Sequence, residues 1–102
     1  MDEIIRPEQC TTMAEVRRGV DATDRELMQL LARRFGYMRA AARIKGDRTM
    51  VRDEKRKAEV IANACADAER LGVPAGEVTV LWEKLVESSI AYELEEWDRL
   101  NR

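Results

Sequence analysis

Apolar residues recur along the first half of the chain at spacings of three, four and seven, which place side chains on one helix face. The stripe begins after Thr12, with Glu15 three residues later in a capping-box pattern, and ends before the turn signal Gly46-Asp47. We therefore predict one long helix from Met13 to Lys45. Its apolar positions are Met13, Val16, Val20, Leu27, Leu30, Leu31, Met38, Ala41 and Ile44.

Two shorter stretches carry the same periodicity. The second helix is predicted from the N-cap Asp53 to Leu71, with Gly72 as its stop signal. The third helix is predicted to open after Pro74-Ala75-Gly76 and to run to about Leu100. The chain has only 5 glycines and 2 prolines in 102 residues, which excludes a β-sandwich or barrel because those folds need many turns. The pattern predicts an all-α protein.

The length of the first helix predicts a second chain. About 33 residues span about 50 Å at 1.5 Å per residue, whereas a compact chain of this size has a radius of gyration of about 13 Å. The two shorter helices cannot cover the whole stripe. We therefore expect a single domain over residues 1–102 that forms an intertwined helical homodimer. The alternative is a kink at Gly36 that folds the helix back on itself.

Composition excludes several chemistries. The chain has no histidine, so it offers no histidine-based triad or ligand, and we expect neither a metal nor a cofactor. A net charge of -2 argues against binding nucleic acid, and no run of about 18 apolar residues could span a membrane. The acidic start Met1-Asp2-Glu3 lacks the apolar segment of a leader. We expect a cytoplasmic protein in which Cys10 and Cys65 are buried, reduced thiols.

Three basic residues interrupt the apolar pattern of the first helix. Arg34 lies between Leu31 and Met38 on the same stripe. Lys45 is eleven positions beyond Arg34, which brings it within roughly 20° of the same face at about 100° per residue. Arg17 lies about 100° round the helix from Arg34, so it reaches the same pocket most easily from a partner chain.

Polar residues also stand at marked positions in the other two helices. Asp53 and Arg56 are i, i+3 neighbours at the start of the second helix, and Ser89 and Glu93 are i, i+4 neighbours on a largely apolar face of the third. Buried charges are costly unless they are paired. Several cations inside a helical bundle therefore predict an anionic ligand, and arginine binds carboxylates through two parallel hydrogen bonds.

In their order and spacing, these residues resemble the all-helical chorismate mutases and their close relatives, the isochorismate pyruvate-lyases. The resemblance covers nearly the whole chain, from about Pro7 to Trp97. The specificity lies in the ordered set rather than in any single motif. The matching strings are Val16-Arg17, Asp21-x-x-Asp24, Leu31-Ala32-Arg33-Arg34, Lys45, Val51-Arg52-Asp53-x-x-Arg56 and Ser89-x-x-x-Glu93.

The resemblance implies an intertwined dimer in which each of two active sites borrows one arginine from the other chain. It implies that the substrate is chorismate, which rearranges to prephenate without a base or a nucleophile. The partner's Arg17 and Arg34 would hold the substrate carboxylates. Lys45 would donate to the ether oxygen, and Glu93 would face that oxygen.

The same resemblance assigns three further binding residues by position. Arg56 would add a cation beside the carboxylates, and Ser89 would contact one of them. Asp53 would sit near the ring hydroxyl. The catalytic set is therefore Lys45, Glu93 and Arg34.

Two positions depart from the usual mutase pattern. Glu93 stands where glutamine is common, and Lys57 stands where a glutamate usually meets the ring hydroxyl. An ionised carboxylate would repel the charge that develops on the ether oxygen, so we expect Glu93 to act protonated and activity to fall as pH rises. Asp53, which the lyases typically lack, favours the mutase over the lyase. A 4-amino-4-deoxychorismate mutase and a non-catalytic helical dimer that serves as an interaction module stay open as alternatives.

Overall fold

A computed structural model describes residues 3–102 of the chain. Met1 and Asp2, which entered the expectation of no leader, lie outside the described residues. None of the helices in the described range is long and apolar enough to cross a bilayer. The predicted all-α architecture with a long N-terminal helix is confirmed. Helices α1, α2 and α3 span Met13–Ile44, Glu54–Leu71 and Ala75–Leu100, with 3₁₀ turns at Pro7–Gln9 and Arg48–Met50.

Helix α1 begins where the capping box predicts. The Thr12 hydroxyl accepts a hydrogen bond from the Glu15 N–H at 3.2 Å, and the Glu15 carboxylate accepts one from the Thr12 N–H at 3.0 Å. Two donors of the first turn are thereby satisfied. Every residue from Met13 to Ile44 is helical, Gly36 included. The predicted single long helix is therefore confirmed, and the alternative of a break at Gly36 is not observed.

Helix α2 has both of its predicted ends. The Asp53 carboxylate accepts a hydrogen bond from the Arg56 N–H at 3.0 Å, which caps the first turn. Gly72 adopts a left-handed conformation with φ 74, and the Val73 N–H reaches back to the Ala68 carbonyl at 2.8 Å. This is a Schellman motif, in which a residue without a β-carbon takes the left-handed position at no steric cost.

Helix α3 begins two residues earlier than predicted. The Pro74 carbonyl accepts from the Val78 N–H at 3.0 Å, which places Ala75 and Gly76 inside the first turn. The first N–H groups of a helix have no intrahelical partner, so this turn accommodates residues that a helix interior disfavours. The prediction that the helix opens after Gly76 is therefore corrected to Ala75.

The chain divides into two compact units, Met1–Gly36 and Tyr37–Arg102. In the second unit, α2 and α3 pack against each other over two buried clusters, and Trp82 packs against both. That the chain acts as one domain stays a prediction. The first cluster consists of Val51, Val86 and Ile90, and the second of Ala64, Ala68 and Val78.

The first unit has no buried residue between positions 3 and 36. Its N-terminal segment borders a groove of about 460 Å³ along the first half of α1. The lining of this groove is largely aliphatic and includes Ile4, Ile5, Val16 and Val20. Part of the apolar stripe that the periodicity predicts therefore faces an open groove.

Both cysteines are free thiols, as expected, but they are half-buried rather than buried. Cys10 ends the 3₁₀ turn Pro7–Gln9, and its backbone N–H donates to Pro7. The Cys65 sulfur lies 2.9 Å from the Thr79 hydroxyl. The thiols were expected in the core, but they lie beside a turn and a hydroxyl instead.

Candidate active site

The centre of the candidate site is an ion pair in the second unit. The Lys45 ammonium donates to the Glu93 carboxylate, with Nζ and Oε2 2.7 Å apart. Glu93, on α3, is only 4% exposed. A carboxylate this deeply buried needs a charged or hydrogen-bonding partner, and the lysine provides one. The structure thus joins two residues, 48 positions apart, that the sequence assigned to one pocket.

The end of α1 and one face of α3 position Lys45. Its backbone N–H donates to the Ala41 carbonyl at 2.9 Å, which completes the last turn of α1. Its carbonyl accepts from the indole Nε1 of Trp97 at 3.1 Å. Trp97 was not among the site residues predicted from the sequence. A signal in the sequence was the tryptophan itself, because a buried indole N–H usually has a hydrogen-bond acceptor nearby.

Ser89 lies one turn before Glu93 on the same buried face of α3. It is 3% exposed, and its hydroxyl donates to the Leu85 carbonyl at 2.7 Å. A serine oxygen that donates in this way still has lone pairs that can accept. The third helix therefore presents two buried polar side chains among apolar neighbours, as the i, i+4 spacing predicts.

Asp53 and Arg56 have local structural roles. The Asp53 carboxylate caps α2, and the Arg56 guanidinium donates to Glu59 at 2.7 Å, with 62% of its side chain exposed. The Arg56 guanidinium thus lies on the exposed side of α2, and its role beside the substrate carboxylates stays a prediction. Glu59 is its i, i+3 neighbour on the solvent-facing side and holds the guanidinium there.

Lys57 connects α2 to α3. Its ammonium lies 3.0 Å from the Glu83 carboxylate and 2.8 Å from that of Glu87. Arg52 also donates to Glu87, at 2.7 Å. Hydrogen bonds from Arg52 and then Lys57 lower the pKa of Glu87 to about 2. No sequence pattern indicated this cluster, because its basic and acidic members are about 30 positions apart in the chain.

Arg17 and Arg34 belong to the first unit. Arg17 is exposed, whereas Arg34 is half-buried. Burial lowers the pKa of the Arg34 guanidinium below its ordinary value, because partial loss of hydration disfavours the charged form relative to the neutral form. Half-burial suits a cation that binds a carboxylate ligand, since charge pairs strengthen where water is excluded.

The buried pair gives the second unit a chemical capacity. The Lys45 ammonium, which is partly shielded from water and lies 2.7 Å from Glu93, can stabilise negative charge on a ligand oxygen more strongly than an ammonium in water. Within residues 3–102, no group of three or more metal-ligating side chains is placed to hold a metal ion.

Comparison with known proteins gives two findings. The sequence profile of the family described as chorismate mutase type II matches residues 16–94, which include every predicted site residue. An isochorismate pyruvate lyase of Pseudomonas aeruginosa is 31% identical over 91 residues, covering 89% of this chain and 90% of the lyase. The matched range holds Lys45 at the end of α1, the cap of α2 and the buried face of α3.

Proposed function

The chain belongs to the chorismate mutase type II family, and we propose that it is a chorismate mutase that rearranges chorismate to prephenate. The observation that carries this proposal is the buried Lys45–Glu93 pair at 2.7 Å. In the rearrangement, the carbon–oxygen bond of the ether breaks as a carbon–carbon bond forms, and negative charge develops on the ether oxygen. The protein needs to hold the reactive conformer and to stabilise that charge.

Lys45 is the residue that stabilises the charge. In the free protein its ammonium is paired with Glu93, which uses one of its three donors, and about a quarter of its side chain is exposed. When substrate binds, the ammonium donates to the ether oxygen instead. Removal of one such donor from an acyl-transfer site costs about 10²- to 10³-fold in kcat, so we expect a loss of this size for Lys45→Met.

Glu93 works beside Lys45 as a protonated acid. Once the ammonium turns to the substrate, a charged carboxylate would be left buried without its partner, which is unfavourable. A protonated carboxyl group avoids this cost and donates a second hydrogen bond to the ether oxygen. Glu93→Gln keeps a hydrogen-bond donor beside the ether oxygen, so we expect it to retain most of kcat; loss of measurable turnover in this variant would contradict the role.

Arginines and a buried hydroxyl bind the substrate carboxylates. Arg34 and the partner's Arg17 hold them, and Ser89 contacts one. Arg56 adds a cation after it exchanges Glu59 for substrate, which its 62% exposed side chain permits. Asp53 sits near the ring hydroxyl while it caps α2, because a carboxylate has lone pairs for both contacts.

The site is shared between two copies of the chain. The support is the apolar stripe on the first half of α1, which the chain leaves exposed at Val20, Leu27 and Leu30. Monomeric proteins rarely expose long apolar surfaces, and such surfaces mark interfaces. The exposed Arg17 lies on the same half of α1 and is available to a second chain.

Mixing two inactive variants tests the shared site. Arg17→Ala and Arg34→Ala should each lose about 100-fold in kcat/KM, because each leaves a substrate carboxylate unpaired. After the two are unfolded and refolded together, about a quarter of wild-type activity should return, since half the dimers are mixed and one of their two sites is whole. Arg34→Ala refolded with the double variant Arg17→Ala/Arg34→Ala is the control and should restore nothing, because every site then lacks Arg34. No recovery in the first mixture would exclude a shared site.

A second activity has its own support. The Pseudomonas aeruginosa relative is described as an isochorismate pyruvate lyase, and loss of pyruvate from isochorismate is a related pericyclic step that much the same pocket can perform. Lys57 also favours this activity, because Glu83 and Glu87 hold an ammonium where the usual mutase pattern has an acid.

Parallel kinetics on the two substrates separate the activities. A mutase converts chorismate to prephenate, so the absorbance of chorismate falls. A lyase converts isochorismate to salicylate, so salicylate fluorescence rises. We expect kcat/KM to be larger for chorismate. A larger value for isochorismate would assign the lyase, and turnover of neither substrate would overturn both assignments.

A further inference from the structure

The backbone of Lys45 is held by a side chain from another helix. The last four carbonyls of an α-helix have no intrahelical partner, and Lys45 directly follows the last residue of α1. Its carbonyl accepts a hydrogen bond from the Trp97 indole at 3.1 Å. The indole therefore ties the end of α1 to α3.

Both contacts of Lys45 with α3 come from one face of that helix. The ammonium binds Glu93 and the carbonyl binds Trp97, at positions four residues apart, which are neighbours on a helix surface. The residue that follows Lys45 is Gly46, where an added β-carbon would meet no atom within 4 Å. Gly46 therefore adds no side-chain contact of its own, and the next side chain that binds α3 is that of Arg48, which donates to Asp98.

We propose that Trp97 is a positioning residue that keeps the Lys45 ammonium aimed at the reacting oxygen. This inference rests on the proposed function. When the ammonium leaves Glu93 for the substrate, the side-chain contact with α3 loosens. The indole contact does not involve the ammonium, so it stays and holds the backbone. A displacement of about 1 Å at a catalytic group costs up to about 100-fold in rate.

The second tryptophan is a matched control. Trp82 packs against both buried clusters, whereas Trp97 packs against one and also donates to Lys45. Replacement of either tryptophan by phenylalanine removes a similar volume from the interface of α2 and α3. Only Trp97→Phe removes the hydrogen bond to the catalytic lysine.

The kinetic test compares Trp97→Phe with Trp82→Phe. For Trp97→Phe we expect kcat to fall about tenfold while KM stays within about twofold, because the donor is misaligned but the carboxylate contacts remain. For Trp82→Phe we expect at least as large a drop in thermal stability, with kcat unchanged. If both variants lose kcat in proportion to their loss of stability, or if Trp97→Phe keeps wild-type kcat, Trp97 has a packing role alone.

A measurement without substrate checks the contact itself. The two indole N–H signals in a ¹H–¹⁵N spectrum are assigned by the disappearance of one in each variant. The Trp97 signal should exchange with solvent more slowly than that of Trp82, because its proton is hydrogen-bonded. Equal or faster exchange would overturn the inference even in an active enzyme. If the wild type turns over neither chorismate nor isochorismate, the proposed function fails while this spectrum still tests the contact.

Discussion

The first half of α1 and the pair formed by α2 and α3 use the same apolar periodicity with opposite results. In the second unit the stripe is buried, with Val86 and Ile90 under a tenth exposed. In the first unit no residue from 3 to 36 is buried. The large apolar residues of α1 that stand exposed there are Met13, Val16, Val20, Leu27, Met28 and Leu30.

The difference teaches how connection length decides what covers a stripe. Three residues, 72–74, join α2 to α3, and a short connection makes antiparallel neighbours that bury each other's apolar faces. The first half of α1 has no such neighbour on its own unit apart from the segment before Met13. An apolar helix face gains stability only where it is covered, so a second chain is the cover that we propose.

The largest expected effect comes from charging the exposed stripe. Leu27→Glu should yield a monomer with at least about 100-fold lower kcat/KM, because it would bury an unpaired charge in the proposed interface. Val80→Glu is the control, since Val80 is also exposed but lies on α3; it should keep both mass and activity. Light scattering and chorismate kinetics give the answer, and an unchanged mass for Leu27→Glu would mean that the stripe is not an interface.

The next effect tests the buried pair of helices. Ile90→Ala should lower the free energy of unfolding by about 2–5 kcal/mol, through lost apolar contact and the cavity left behind. Val80→Ala, on the exposed side of the same helix, should change it by less than about 0.5 kcal/mol. Urea unfolding of the two variants makes the comparison. Equal losses of unfolding free energy in the two variants would show that the contact between α2 and α3 does not dominate the stability of the second unit.

Acid should weaken the second unit through Glu87. Arg52 and Lys57 hold the pKa of its carboxyl at about 2, against an ordinary value of 4.5. A carboxylate whose pKa is lowered by folding stabilises the fold above the unfolded value, and this contribution is lost as pH falls from about 4.5 to about 2. Glu87→Gln should therefore show a shallower loss of stability in that window, read from urea midpoints. If stability falls with pH equally steeply in the wild type and in Glu87→Gln, the proposed role of the cluster is contradicted.

The smallest effects concern two glycines at the ends of helices. Gly72 has φ 74, so Gly72→Ala should cost about 1–2 kcal/mol for a left-handed alanine. Gly46 has free space around it and lies outside the left-handed region, so Gly46→Ala should be neutral or stabilise by about 0.4–1 kcal/mol. Thermal unfolding measures both. A destabilised Gly46→Ala would show that the chain after Lys45 needs the freedom of glycine.

The sequence predicted the helices and their ends. The capping box of Thr12 and Glu15, the cap at Asp53 and the stop at Gly72 are all observed. These features depend on hydrogen bonds and backbone conformations within about four residues, so a local pattern contains the information. The same locality explains the error at α3, where a tolerant first turn let the helix begin at Ala75.

Only the tertiary structure decided which side chains meet. It paired Lys45 with Glu93, tied the Lys45 carbonyl to Trp97, and gave Lys57 to two carboxylates of α3. It also directed the Arg56 guanidinium outward to Glu59. Periodicity assigns a residue to a helix face, but a contact between helices depends on their packing angle and register, which short-range patterns do not encode.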